Sequence, residues 1–285
     1  MSELTIATRG SRLAITQTRE VVAQLSAAHP DLEISIMEVT TTGDRDRTTS
    51  VTTLTEVGAF VRAVQQAVIE GRADLAVHSC KDLPVEGPGG LTGFYPKRAQ
   101  PWDVLCGHEL STLPHRAAVG TGSPRRAAQL KALRPDVEIC DIRGNVETRL
   151  EKMHSGEYDA LVLAEAGLRR LGLVAEIGHR FTIDEMVPAP AQAALAVEVR
   201  EDDPIVEMVA AIDDADTRSA VEAERALLAH TGAGCRAALG ALGIVGPHGI
   251  HLTGFVEDEE GARSGVAKGP SPGLAARELQ AVLGL

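Results

Sequence analysis

The chain has 285 residues, 44% of them hydrophobic, which is enough for two or three modest cores. It carries 28 Lys and Arg against 40 Asp and Glu, a formal charge of −12, with only four Phe, two Tyr and one Trp. That balance argues against a nucleic-acid protein and against a base-stacking platform. No apolar run approaches the roughly 20 residues of a membrane span, and Met1-Ser2-Glu3 leads directly into a strand-like segment with no leader pattern. The cysteines Cys80, Cys106, Cys140 and Cys235 form no Cys-x-x-Cys pair, which speaks against zinc and for free thiols in a reducing compartment. A soluble cytoplasmic protein is expected.

In chain order, Leu4 to Thr8 reads as a strand, followed by Arg9-Gly10-Ser11 and a helix from Leu13 to about Ala28 with Ser11 as its cap. Leu32, Ile34 and Ile36 alternate as a second strand. Residues 40–53, rich in Thr, Asp and Arg, read as a mobile loop. Val57, Phe60, Val61, Val64 and Val68 recur at helical spacing, and Gly71 closes that helix. Leu75-Ala76-Val77 is a short buried strand that delivers His78, Ser79, Lys81 and Asp82 to a loop, before Pro84 and the Gly-Pro-Gly-Gly run at 87–90 end regular structure.

Pro96 and Pro101 mark a crossing into a second unit. Ala117 to Gly120 is strand-like and delivers Thr121-Gly122-Ser123-Pro124-Arg125-Arg126, a strong helix start. Val137 to Ile142 reads as a strand ending in Arg143-Gly144-Asn145, with Asn145 capping a helix that carries Arg149. Leu161 to Ala164 is a further strand, followed by a helix through Arg169 and Arg170. Pro188-Ala189-Pro190 punctuates, and Leu195 to Val199 reads as a strand returning to the first unit. A helix-rich stretch over 204–230 ends at Thr231-Gly232-Ala233-Gly234-Cys235. Strand-like segments at 241–245 and 250–256, a Gly-rich turn and a last helix from about 273 complete the chain. Strands alternating with helices indicate a parallel or mixed sheet. Two such runs predict two α/β domains with a cleft between them, plus a small α+β C-terminal domain.

Three strand-to-helix loops set arginine beside glycine and a small hydroxyl or amide: Arg9-Gly10-Ser11, Ser123-Pro124-Arg125-Arg126 and Arg143-Gly144-Asn145. Free N–H groups of a helix N-terminus next to a forked guanidinium bind carboxylate or phosphate. A cation there opposes the helix dipole, so an anionic ligand with several charges is favoured over scattered solvated arginines. Phosphate and carboxylate are not separated at this point. No Gly-x-x-x-x-Gly-Lys-Ser/Thr loop occurs, and Gly232-Ala233-Gly234-Cys235-Arg236-Ala237 follows a helix rather than a strand, so it is no dinucleotide fingerprint. Cys106 and Cys140 sit in apolar or strand patterns and read as buried and inert. Cys80, beside Lys81, is a candidate reactive thiol. Cys235 lies in a glycine-flanked loop that can present its sulfur openly.

These motifs resemble the porphobilinogen deaminase (hydroxymethylbilane synthase) family. The matching stretches are Ile6-Ala7-Thr8-Arg9-Gly10-Ser11, Val77-His78-Ser79 with Lys81-Asp82-Leu83-Pro84, Gly120 to Arg126, Arg143-Gly144-Asn145-Val146, Thr148-Arg149-Leu150, Ala166-Gly167-Leu168 with Arg170-Leu171-Gly172, Pro188 to Gln192, and Gly234-Cys235. The resemblance implies two domains folded like type II periplasmic binding proteins, 1–96 with 194–213 and 97–190, and a C-terminal domain over 216–285. It implies a dipyrromethane cofactor joined to Cys235 by a thioether, and Asp82 as catalytic carboxylate. Lys81, Ser123, Arg125, Arg126 and Arg143, with Ser79, Thr121 and Gly144, would hold the cofactor. Arg9, Ser11, Arg149, Arg170 and Gln192 would hold the substrate, porphobilinogen. Four porphobilinogens are then joined head to tail in tetrapyrrole (haem) biosynthesis, each losing ammonia to leave a cationic, azafulvene-like electrophile that a carboxylate can stabilise.

The chain departs from the family in Val57-Gly58-Ala59-Phe60, which lacks the usual lysine, with Arg62 as a substitute cation. It also has Ala193 where Gly is usual, Ala238 where Pro is usual, and a less charged Arg98 to Asp103 segment. A different class of reading, a non-catalytic cytoplasmic polycarboxylate-binding protein on the same scaffold, explains the arginines but gives Cys235 and Asp82 no task.

Overall fold

The computed structural model describes residues 3–39, 55–231 and 238–285, with backbone alone over 55–60. The loop expected at 40–53, the Val57 and Phe60 side chains and Cys235 lie outside that description. The chain divides into two units, Met1–Arg98 with Ala194–Arg218, and Ala99–Ala193 with Ser219–Leu285.

The first unit is built on a sheet of β1 (Glu3–Arg9), β2 (Glu33–Val39), β3 (Leu75–Ser79), β4 (Leu91–Phe94) and β10 (Leu195–Arg200), in the order β2-β1-β3-β10-β4. The first three are parallel, and β10 runs antiparallel between β3 and β4, with Leu195 opposite Ser79. Period-two alternation sends Leu4, Ile6, Leu75, Val77 and Val197 to one face, where Val21 and Leu25 of α1 (Arg12–Ala28) pack. Ala7 and Ala76 face the other way, under Val64, Ala67 and Val68 of α2 (Thr55–Ile69). The small alanines let α2 approach the sheet.

The second unit repeats the pattern with β5 (Asp103–Cys106), β6 (Ala118–Gly120), β7 (Glu138–Cys140), β8 (Ala160–Ala164) and β9 (Ile177–Arg180) in the order β7-β6-β8-β5-β9. Here β6, β7 and β8 are parallel, and β5 is the antiparallel strand, with Asp103 opposite Ala164. The helices α3 (Pro124–Leu133), α4 (Val146–His154) and α5 (Glu165–Leu171) follow β6, β7 and β8. Both units are thus mixed α/β, as expected of a type II periplasmic-binding-protein-like pair. In both, the parallel strands end at one edge, where their loops gather.

After β10 come α6 (Val206–Ala210) and α7 (Ala215–His230). The C-terminal piece is an antiparallel sheet of β11 (Ala238–Gly246), β12 (Gly249–Asp258) and β13 (Gly261–Gly269), covered by α8 (Pro272–Leu283).

The structure corrects several sequence expectations. The Gly-rich turn expected after β12 is a nine-residue strand, β13, paired along its length with β12. Its glycines serve close packing: a Cβ on Gly265 would strike Val282 of α8, and one on Gly269 would strike the backbone of Ala275. Regular structure resumes immediately after Gly90 as β4, and β5 and β9 are also strands; each is four residues long, too short to show a period. The strand expected over 137–142 is only Glu138–Cys140.

Candidate functional site

In the first unit the sequence-predicted residues collect at the carboxyl edge of the sheet. Arg9 is the last residue of β1, and Ser11 caps α1, its Oγ accepting the Ala14 N–H at 3.2 Å. Ser79 ends β3 and leads into a single 3-10 turn, Cys80–Asp82, that places Lys81 and Asp82 at the same edge. The turn is pinned at both ends: Cys80 N–H donates to Ala194 O at 3.0 Å, and Leu83 N–H donates to Cys80 O at 3.2 Å. Lys81 and Asp82 are half-buried. Among the described residues no hydrogen-bond or ion-pair partner meets the Asp82 carboxylate. His78 belongs elsewhere. Its ring is buried, with Nε2 3.1 Å from Glu198 Oε2, and Gln65 Nε2 donates to both oxygens of the same carboxylate.

In the second unit, Thr121 follows β6, its N–H donating to Cys140 O at 2.9 Å and its Oγ1 accepting from Ser123 N–H at 3.2 Å. Ser123 caps α3, with Pro124 at the first helical position. Arg125 and Arg126 turn inward. Arg125 Nη1 donates to Asp103 Oδ2 and to Val187 O, both at 2.7 Å. Arg126 reaches Asp103 Oδ1 through Nε at 2.9 Å and Nη2 at 2.7 Å, and donates through Nη1 to Val162 O at 2.9 Å. Gln192 Nε2 donates to the same Oδ1 at 3.0 Å and to Pro101 O at 2.7 Å. Asp103 is wholly buried. Burial alone would raise its pKa, yet the Arg125 and Arg126 charges and their hydrogen bonds hold it well below the usual carboxylate range. Burial lowers the pKa of Arg125, with the Arg126 charge adding to that and Asp103 opposing it. Two buried guanidiniums against one carboxylate leave a surplus positive charge, which suits an anionic ligand.

The β7–α4 loop carries Arg143 and Gly144, and the first turn of α4 carries Arg149. Asn145 Oδ1 caps α4 by accepting Thr148 N–H at 2.8 Å. Arg149 Nε donates to Gly144 O at 2.8 Å; burial and then the nearby Arg126 charge lower its pKa, against the pull of Asp141. Arg143 is exposed and 3.4 Å from Asp141. Near the end of α5, Arg170 Nη2 donates to Ala193 O at 3.2 Å. The structure therefore gathers Arg125, Arg126 and Gln192 around Asp103, keeps Ser123 at the α3 cap beside Arg126, sets Arg149 within the field of Arg126, and leaves Arg143 at the surface.

Cys80 is fully buried, so its thiol is not presented beside Lys81. Cys140 is half-buried rather than buried. Burial pushes the Cys106 thiol up to about 12, as an inert core cysteine requires. Sequence reasoning missed two acids. Asp103 opens the run Val104-Leu105-Cys106, where a lone acid entering a buried strand needs a counter-ion. Glu224 continues the buried stripe Thr217, Val221, Glu224, Leu228 on α7, a core position by spacing. Glu224 is wholly buried and accepts Ala191 N–H at 2.6 Å and Gly243 N–H at 2.7 Å.

Residues 4–208 match the family model described as porphobilinogen deaminase, dipyromethane cofactor binding domain. The porphobilinogen deaminase of Roseiflexus castenholzii is 44% identical over 280 residues, covering 95% of this chain and 92% of that protein. That of Leifsonia xyli subsp. xyli is 46% identical over 268 residues, covering 91% and 81%. That of Brevibacillus brevis is 41% identical over 267 residues, covering 92% and 86%. The chain belongs to the porphobilinogen deaminase family.

Proposed function

We propose that the protein is a porphobilinogen deaminase (hydroxymethylbilane synthase), a transferase that joins four porphobilinogens head to tail with release of ammonia, on a dipyrromethane primer held through Cys235. The observation that carries the chemical reading is Asp82: a half-buried carboxylate, fixed on a pinned turn at the sheet edge, with no partner among the described residues. Such a group has no structural task and is available to substrate. Asp82 lowers the energy of the positive charge that develops as the aminomethyl nitrogen departs, and it can accept the proton released at coupling. At about 4 Å and an effective dielectric of 20, one such contact is worth roughly 4 kcal/mol.

The buried surplus charge around Asp103 fits a cofactor bearing carboxylates. Lys81, Ser123, Arg125, Arg126 and Arg143, with Ser79, Thr121 and Gly144, are assigned to its acetate and propionate groups. Arg9, Ser11, Arg149, Arg170 and Gln192 are assigned to those of the substrate. When bound, the dipyrromethane supplies the free pyrrole position that is extended. The proposed domains are 1–96 with 194–213, 97–190 and 216–285, in a monomer acting in the cytoplasm. A non-catalytic polycarboxylate binder would need the same arginines but leaves Asp82 and Cys235 idle.

The intact mass of the purified protein tests the reading. A mass excess of two pyrrole units, absent from Cys235→Ala, is expected. Active protein with the mass of the bare polypeptide would overturn it.

A further inference from the structure

Glu224 has no part in the reaction described above, yet it is one of the most buried charged groups in the chain. Its two oxygens hold two separate pieces of backbone. Oε2 takes Ala191 N–H at 2.6 Å, in the turn that presents Gln192. Oε1 takes Gly243 N–H at 2.7 Å, in β11. Glu224 itself stands on α7. The residue that the proposed function makes the cofactor anchor, Cys235, lies between the end of α7 at His230 and the start of β11 at Ala238. One carboxylate therefore ties together the element before Cys235, the element after it, and the Gln192 turn.

The surroundings are built for that tie. Ala191 has φ +59° and Ala193 φ +70°, so Gln192 sits between two left-handed alanines, a conformation that needs outside support. Gly243 approaches α7 closely; a Cβ there would come within 3.1 Å of Ala220 backbone. Ala241 N–H also donates to Pro188 O at 2.8 Å. Val187 O receives Arg125 Nη1, and Val187 N–H donates to Gln129 Oε1 at 2.7 Å. The backbone from 187 to 192 is thus sewn to β11 on one side and to the Asp103 cluster on the other.

We propose that Glu224 is a positioning residue for cofactor attachment: it sets both flanks of the Cys235 segment against the Gln192 turn and, through it, against the Asp103-held Arg125 and Arg126 to which the proposed function assigns the cofactor's carboxylates. This rests on the assignment of Cys235 as the attachment point. A carboxylate is required because both backbone partners are donors. In Glu224→Gln the amide NH₂ faces one of those N–H groups, and one tie is lost.

The test is the intact mass of full-length wild type, Glu224→Gln and Cys235→Ala, expressed alike, with a thermal melt of each. Glu224→Gln is expected to melt cooperatively while its cofactor-loaded share falls at least about threefold, with Glu224→Asp, which keeps two acceptors, loading better than Gln. Loading of Glu224→Gln equal to wild type overturns the inference alone. Wild type with no excess mass overturns the Cys235 assignment beneath it. A second measurement needs no Glu224 variant. If the ties favour attachment, attachment must favour the ties by reciprocity. Amide exchange at Ala191 and Gly243 should then be slower in loaded wild type than in Cys235→Ala. Equal exchange at both amides overturns the inference even if Glu224→Gln does not fold.

Discussion

The two α/β units share a spatial strand order, and the residue that opens the antiparallel strand differs in kind between them. In the first, the antiparallel strand opens with Leu195 opposite Ser79; in the second, it opens with Asp103 opposite Ala164. Leucine joins a core there, whereas aspartate cannot be buried alone and draws in Arg125, Arg126 and Gln192. The first unit's own aspartate, Asp82, sits outside the sheet on a pinned turn with no described partner. One carboxylate is saturated by the protein and the other meets no partner among the described residues. The comparison teaches that where the acid is placed decides whether the protein itself neutralises it: inside the strand it must be paired, on the turn beyond the strand it need not be.

Removing the saturated carboxylate should have the largest effect. Asp103→Asn leaves two buried arginines under-paired and should cost roughly 3–5 kcal/mol of stability, read by urea denaturation. Acid should expose the same pair. Because folding depresses the Asp103 pKa, its contribution is complete above the ordinary value near 4 and is lost as pH falls below it. Wild type should therefore lose stability below about pH 4 more steeply than Asp103→Asn. Equal stability at neutral pH would end the contrast. Asp82→Asn should do the reverse: unfolding within about 0.5 kcal/mol of wild type, but turnover down by roughly 10²–10³, or about 2.7–4 kcal/mol. Near wild-type turnover would remove Asp82 from the chemistry.

The arginines sharpen the contrast further. Arg149→Ala should weaken substrate binding or stall elongation by about 1.5–3 kcal/mol, roughly 10–150-fold, as native mass spectrometry after mixing with porphobilinogen would show. Arg143→Ala, at an exposed position beside Asp141, should change folding stability by less than about 1 kcal/mol. A change in the opposite direction concerns Ala193, held at φ +70°. A left-handed alanine costs roughly 1–2 kcal/mol, and glycine returns about 0.4–1 kcal/mol of freedom to the unfolded chain. Ala193→Gly should therefore be neutral to about 1.6 kcal/mol stabilising; a loss in urea midpoint would show that the backbone there is not strained.

What could be read from sequence was local. Ser11, Ser123 with Pro124, and Asn145 announce their helices within four residues, and each cap is in place. The Asp82 turn is likewise written in the strand before it and the proline after it. The Asp103 cluster is not local: its arginines are 22 and 23 residues away and Gln192 is 89 away, and only burial turns them into one object. The inward turn of Arg125 and Arg126 was missed for that reason. β13 was missed because its glycines answer to α8, which lies beyond it in sequence.

The first sheet also has a schedule. β4 joins it only through β10, and β10 is encoded more than a hundred residues after β3. At 5–20 residues per second, a growing chain waits roughly 6–24 s between making β3 and making its last neighbour. Throughout that interval β4 has no partner in its sheet, and one side of β3 is a bare strand edge open to other chains. The N-terminal unit is thus the first begun and among the last closed, so its opening 98 residues should behave as a client of chaperones rather than as a folded fragment.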